Sequence, residues 1–188
     1  MPRETFPWWA GYFLLLPVRR LVQHPRKILA PFVSEGMTVL EPGPAMGFFT
    51  LDLARLVGPA GRVVAVDIQP RALAVLDRRA RRAGLSERIE TRLAMPDRLG
   101  LDGLESRVDF CFACAMVHEV DDPVGFFREI LQSLKPGGRL LLSEPKGHVA
   151  REDFEETLAV VEKTGFVAQS RPRIWASRSV LFLKGGSS

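Results

Sequence analysis

Thr38-Val39-Leu40-Glu41-Pro42-Gly43-Pro44-Ala45-Met46-Gly47-Phe48-Phe49-Thr50 runs from an apolar pair through a carboxylate into a bend of small residues and out into a new apolar stretch. Val39 and Leu40 read as the end of a buried strand. Gly43 and Gly47 stand four residues apart with Ala45 between them. Beyond them Phe48, Leu51, Leu53, Ala54, Leu56 and Val57 recur near helical spacing, so the order is strand, tight turn, helix. A turn of this kind brings a ligand against the backbone and over a helix N-terminus, whose unbonded N–H groups carry partial positive charge. A side chain larger than methyl at Gly43, Ala45 or Gly47 is expected to fill ligand space. Glycines that merely end a strand give the same pattern, so the turn alone does not decide the fold.

The next carboxylate adds weight. Arg62-Val63-Val64-Ala65-Val66-Asp67 is a second apolar run, and its terminal acid lies 20 residues after Gly47. In a dinucleotide-type fold the second strand ends beside the first, and an acid there accepts hydrogen bonds from ribose hydroxyls. Asp67 also suits the N-cap of a helix opening at Pro70, where a missing N–H costs nothing. Both readings stay open.

A chain of 188 residues favours one domain with a substantial core, and 46% hydrophobic residues excludes a disordered chain. The net charge of +4 permits acidic partners without requiring them. Cys111 and Cys114 have the spacing of a metal or redox pair. On one strand, residues three apart point to opposite faces, and there is no second pair to complete a zinc site. They read as small core residues, and no metal is expected. Without a disulfide framework or a secretory signal, the expected compartment is the cytoplasm.

The segment 1–35 stands apart as an aromatic and helical lid in front of a domain over 36–188. Phe6 to Leu16 is an aromatic and aliphatic run followed by Arg19-Arg20, an order opposite to that of a signal peptide. It is too short to span a bilayer. Trp8, Trp9 and Tyr12 are expected to wall a substrate pocket. Sealing the core, or touching a membrane surface through the tryptophans, are the other readings.

Later segments alternate. Gly58 to Gly61 turns into the second strand. A helix from Arg71 to Ala83 stops at Gly84. Ile89 to Leu93 and Arg107 to Ala115 are strands, the latter continuously apolar as a buried parallel strand should be. Asp122-Pro123 opens a helix through Leu134, Lys135 to Gly138 is a sharp turn, and Arg139 to Glu144 is a fifth strand. A helix over Arg151 to Lys163 precedes two closing strands, Gly165 to Ser170 and Ser179 to Leu183. Strands alternating with helices imply an α/β fold, a doubly wound and mostly parallel seven-stranded sheet with an antiparallel C-terminal strand. Arg78 to Arg82 lacks interleaved aromatics and reads as a solvated helix end, so no nucleic-acid partner is expected.

Four motifs in order, Val39 to Gly47, Val64 to Asp67, Val108-Asp109-Phe110 and Leu134-Lys135-Pro136-Gly137-Gly138-Arg139-Leu140, resemble the class I S-adenosylmethionine-dependent methyltransferases, over residues 36–184. The resemblance implies a Rossmann-like sheet and S-adenosyl-L-methionine as cofactor. It places Glu41 near the methionine amino group. Gly43, Ala45 and Gly47 become the cofactor loop, with Phe48 beside them. Asp67 takes the ribose, Ile68 lies against adenine, and Met95 stands where the family often has an acid for the adenine amine. Ala113 and Cys114 would offer backbone carbonyls to the methionine end. Met116, His118 and Glu119 would line the reaction centre.

Methyl transfer needs a positioned nucleophile, and a base only where the acceptor must lose a proton. His118 and Glu119, just past the fourth strand, and His148, past the fifth, are the candidates. A purely structural hydrogen-bonding role is the alternative for each histidine. The acceptor is expected to be a small apolar or aromatic molecule. Ala45 brings a methyl group where the family has its middle glycine, a change worth about 1 kcal/mol where packing is close. Met95 cannot hydrogen-bond adenine as an acid would. These departures make a non-catalytic, cofactor-binding regulatory domain the competing expectation.

Overall fold

The computed structural model describes residues 24–186. The expected pocket wall of Trp8, Trp9 and Tyr12 lies outside the described residues. Seven strands form one sheet: β1 (Thr38–Pro42), β2 (Arg62–Asp67), β3 (Ile89–Leu93), β4 (Val108–Cys114), β5 (Leu134–Pro145), β6 (Phe166–Ser170) and β7 (Ser177–Lys184). Their spatial order is β3-β2-β1-β4-β5-β7-β6. The first five are mutually parallel, and β7 runs antiparallel between β5 and β6. The Rossmann-like sheet with an antiparallel C-terminal strand is therefore present.

Alternation along the strands divides the core. Val39, Val63, Ala65, Phe110 and Phe112 face one layer, which takes α1 (Pro25–Leu29), α2 (Thr50–Leu56) and α3 (Pro70–Arg82). Leu40, Val64, Val66, Cys111 and Ala113 face the other, which takes α4 (Pro123–Ser133) and α5 (Arg151–Lys163). Two-residue periodicity requires this split. It also puts Cys111 in one layer while Cys114 packs against the other. The described end of the 1–35 segment belongs to the same core: Leu29 and Val33 are buried, and Phe32 stacks on Phe110 with ring centroids 5.9 Å apart.

Two details differ from the sequence-based expectation. Lys135 to Gly138 does not precede the fifth strand but interrupts it. Leu134 already pairs with Val108, and Arg139 next pairs with Phe110, so the extra residues loop out as a bulge. Asp109 explains why: its carboxylate accepts from the Lys135 ammonium at 2.6 Å and from the Thr38 N–H at 2.8 Å, pinning the entrances of β1, β4 and β5 together. The other difference is α2, which begins at Thr50 and lasts seven residues. The loop after β1 thus extends through Phe49, and this loop, not a helix N-terminus, is what faces the ligand space.

Candidate active site at the sheet's switch point

Strand order reverses between β1 and β4, and in open α/β sheets the crevice at the carboxyl ends of such strands receives ligands. A cavity of about 640 Å³ lies there, within the range of roughly 300–1,000 Å³ usual for small-molecule sites. Glu41, Gly43, Ala45, Phe48, Asp67, Ile68, Met95, Cys114, Met116, His118, Glu119 and His148 all line it. Gly47 and Ala113 do not. Gly47 closes a turn onto the Pro44 carbonyl, and Ala113 is wholly buried in the core layer of α4 and α5.

Gly43 and Gly47 both pack closely against other side chains, and Gly47 does so away from the cavity that Gly43 and Ala45 line. A Cβ on Gly43 would stand 2.8 Å from Met116 Cγ, and one on Gly47 would meet a methyl group of Leu76. Both residues also adopt positive φ. So does Ala45, at φ 48°, a conformation that costs an L-residue roughly 1–2 kcal/mol. Ala115, at the end of β4 in the opposite wall, sits at φ 55°. Strain of this kind persists where the surroundings over-determine it.

Asp67 supplies part of that determination. One carboxylate oxygen accepts from the Ala45 N–H at 3.1 Å, the other from the Gln69 N–H at 2.9 Å. It is not the side-chain cap of α3, whose N-cap is Gln69. A carboxylate has about four acceptor positions, so bracing the loop leaves capacity for ribose hydroxyls. Burial raises its pKa, and the backbone N–H groups oppose the rise. Arg79 of α3 holds the same loop by donating to the Met46 carbonyl. On the far side of the cavity, Glu129 of α4 accepts from Leu99 N–H at 2.9 Å and Gly100 N–H at 3.2 Å, fixing the loop that carries Met95.

Glu41 is the last residue but one of β1 and stands near the end of β2, since it pairs with Ala65 and Pro42 pairs with Val66. It is only 3% exposed. Burial first, and then the neighbouring Asp67 charge, push its pKa from 4.5 to about 8. The Thr50 hydroxyl works the other way, yet neither Glu41 Oε2 nor Thr50 Oγ1 has a partner in hydrogen-bonding geometry among the described residues. An incomplete buried carboxyl at a cavity floor is costly, and a cationic or donor-bearing ligand would complete it.

The other half of the cavity holds a carboxylate that the sequence reading passed over. Glu144, at the tip of β5, is 2% exposed and lies behind the cavity wall rather than in it. Its Oε1 accepts from the Val117 N–H at 2.8 Å, and its Oε2 lies 2.8 Å from His118 Nδ1. His118 Nε2 is 3.8 Å from Glu119 Oε1, and the His118 and His148 rings meet edge to face at 4.8 Å. The signal was present: Ser143-Glu144 ends an apolar strand much as Glu41 does. Asp97, two residues past Met95, was likewise passed over and lines the cavity.

The residues fit S-adenosylmethionine on these grounds. An amino group would complete Glu41 Oε2, ribose hydroxyls would find the remaining acceptor capacity of Asp67, and a flat base would find Ile68 and Met95, apolar side chains 46% and 52% exposed in the cavity wall. Among the described residues no helix is long and apolar enough to cross a membrane, and no group of three or more His, Cys, Asp or Glu could hold a metal ion.

Known proteins match this picture. A family model described as "Methyltransferase domain" covers residues 33–175. The ubiquinone biosynthesis O-methyltransferase of Methylocella silvestris is 34% identical over 61% of this chain and 42% of its own length. The ubiquinone/menaquinone biosynthesis C-methyltransferase UbiE of Pasteurella multocida is 32% identical over 60% and 41%. The arsenite methyltransferase of Aquipseudomonas alcaligenes is 31% identical over 62% and 35%. The chain thus spans about two fifths of the length of the curated relatives it matches. A SAM-dependent methyltransferase from Aquifex aeolicus superimposes with a TM-score of 0.86 at 25% identity, over 96% of this chain and 100% of that one.

Proposed function

The chain belongs to the methyltransferase domain family, and from that premise we propose that it transfers a methyl group from S-adenosyl-L-methionine to a small, apolar or aromatic acceptor. The observation that carries this reading is the pair of adjacent strand-tip carboxyls, Glu41 and Asp67, the first with an oxygen that has no partner among the described residues and the second with capacity to spare, beside the cavity.

S-adenosyl-L-methionine supplies an electrophilic methyl group on a sulfonium. The chain supplies orientation. Glu41, whose pKa burial raises to about 8, would ionise on meeting an ammonium group. Asp67 accepts from the ribose while its backbone bonds to Ala45 and Gln69 keep its oxygens aimed. Ile68 and Met95 would pack against the base, and Asp97, which lines the same cavity, would accept from the adenine amine in place of Met95. The apolar walls contributed by Met46, Phe49, Phe112 and Phe126 exclude water from the reacting centre and suit a planar acceptor. His118, Glu119 and His148 are the groups able to hold or move an acceptor proton. The names of two relatives point the same way, since ubiquinone intermediates are apolar and aromatic.

The test is incubation with methyl-labelled S-adenosylmethionine and a fractionated small-molecule extract, beside calorimetry with the cofactor. Binding with label transferred to an apolar product is expected. Binding without any transfer favours a domain that has lost turnover. No binding at millimolar cofactor overturns both readings.

A further inference from the structure

Glu144 does not line the cavity, and both of its oxygens are engaged by the chain itself. Its two oxygens have two different tasks. Oε1 holds the Val117 N–H, which fixes the short 3-10 turn Val117–Glu119 on the tip of β5. Oε2 faces His118 Nδ1 at 2.8 Å. A carboxylate is an acceptor only, so the nitrogen facing it must carry the proton. In the neutral imidazole the other nitrogen, Nε2, is then the basic one. His118 lines the cavity while Glu144 does not, and Nε2 lies 3.8 Å from Glu119 Oε1, beyond hydrogen-bond distance.

We propose that Glu144 is a positioning residue that locks His118 in the Nδ1–H tautomer, making Nε2 the proton acceptor for a hydroxyl-bearing methyl acceptor such as a phenol or enol. The acceptor class rests on the methyltransferase reading; the tautomer does not. In the step assigned to these residues the acceptor O–H bond breaks and the Nε2–H bond forms. The electron pair stays on oxygen, which becomes the nucleophile. The imidazolium so formed sits against the Glu144 carboxylate, which stabilises it in a way that a neutral partner could not. His148 meets the His118 ring edge to face at 4.8 Å and restricts its rotation. A carbon or arsenic acceptor that attacks through a free lone pair or an already ionised centre would need no such base.

The chain has three histidines, so a long-range ¹H–¹⁵N spectrum of the histidine-labelled full chain at pH 8 reads the tautomer directly. The expected result is His118 as Nδ1–H in the wild type. In Glu144→Gln the amide oxygen keeps the Val117 N–H and the amide NH₂ turns to Nδ1, so the tautomer flips to Nε2–H. A wild-type ring already protonated on Nε2, or a ring unchanged by E144Q, overturns the proposal. The wild-type spectrum decides the first point even if the variant folds poorly. With labelled S-adenosylmethionine and a series of ring-substituted hydroxyarenes, E144Q is expected to lower kcat about 100-fold or more, the usual scale of general-base catalysis, with KM little changed. The loss should shrink as substituents lower the O–H pKa. Equal loss across the series, or transfer only to carbon or arsenic acceptors, contradicts it. A flipped tautomer with no transfer to any compound upholds the dyad and sinks the methyltransferase reading alone.

Discussion

Glu41 and Glu144 occupy equivalent places, each a glutamate at the tip of a parallel strand beside the same cavity and each almost fully buried. One is left incomplete and the other is completed. Glu41 Oε2 has no partner among the described residues, and its pKa is driven to about 8. Both oxygens of Glu144 are engaged, by a backbone N–H and by a histidine. The same side chain in the same kind of position therefore costs stability on the β1 side, where a ligand is awaited, and adds stability on the β5 side, where the protein's own groups are being aimed. The strained Ala45 lies in the loop that follows β1, so part of the strain falls on the waiting half.

The sharpest way to break this contrast is to remove each acid and measure stability. Glu144→Ala leaves the Val117 N–H buried without an acceptor and frees His118, and should cost about 3 kcal/mol in urea unfolding. A loss below about 1 kcal/mol would make Glu144 as dispensable as the contrast says Glu41 is. Asp67→Ala should weaken cofactor binding by about 1.5–3 kcal/mol by calorimetry, the scale of hydrogen bonds to a charged group, and loosen the Ala45 turn besides. Unchanged affinity would reduce Asp67 to a loop brace.

Glu41 makes a prediction of opposite sign. Because its folded pKa lies above its unfolded value, the folded protein keeps a proton that the unfolded chain loses as pH rises from 4.5 to about 8. Stability therefore falls through that window, and the full cost is present above it. The raised pKa of Asp67 adds in the same direction. Glu41→Gln should flatten the decline and leave the variant more stable than wild type by up to about 4 kcal/mol at pH 8, while weakening cofactor binding. Parallel pH–stability curves for the two proteins would contradict this. The smallest effect is at Ala45. Glycine there relieves the left-handed backbone and should stabilise the chain by up to about 1 kcal/mol without loss of cofactor affinity, as read by thermal unfolding and calorimetry.

Much of this was legible in the sequence because strand tips are marked by composition. An apolar run ending in an acid announces Glu41 and Asp67, and the order of runs and turns gives the sheet. Three features were not legible. Asp109 and Lys135 are adjacent only through strand pairing, so nothing local shows that the Lys135 to Gly138 turn is a bulge inside β5. The packing of Met116 on Gly43 and Leu76 on Gly47 joins separate elements, so neither contact can be read from the loop alone. Glu144 matches the local pattern of Glu41, but its partners, Val117 and His118, come from the neighbouring strand's loop, and a contact between strand tips leaves no mark in either segment alone.

Calorimetric titration of the full chain with S-adenosylmethionine at pH 7, in two buffers of different ionisation enthalpy, tests the central claim that the β1 carboxyl is held incomplete for this ligand. The account predicts saturable binding to one site, with more proton release in the wild type than in E41Q, because Glu41 ionises as it meets the ammonium group. No saturable heat at millimolar cofactor, or the same proton count in both proteins, would contradict it.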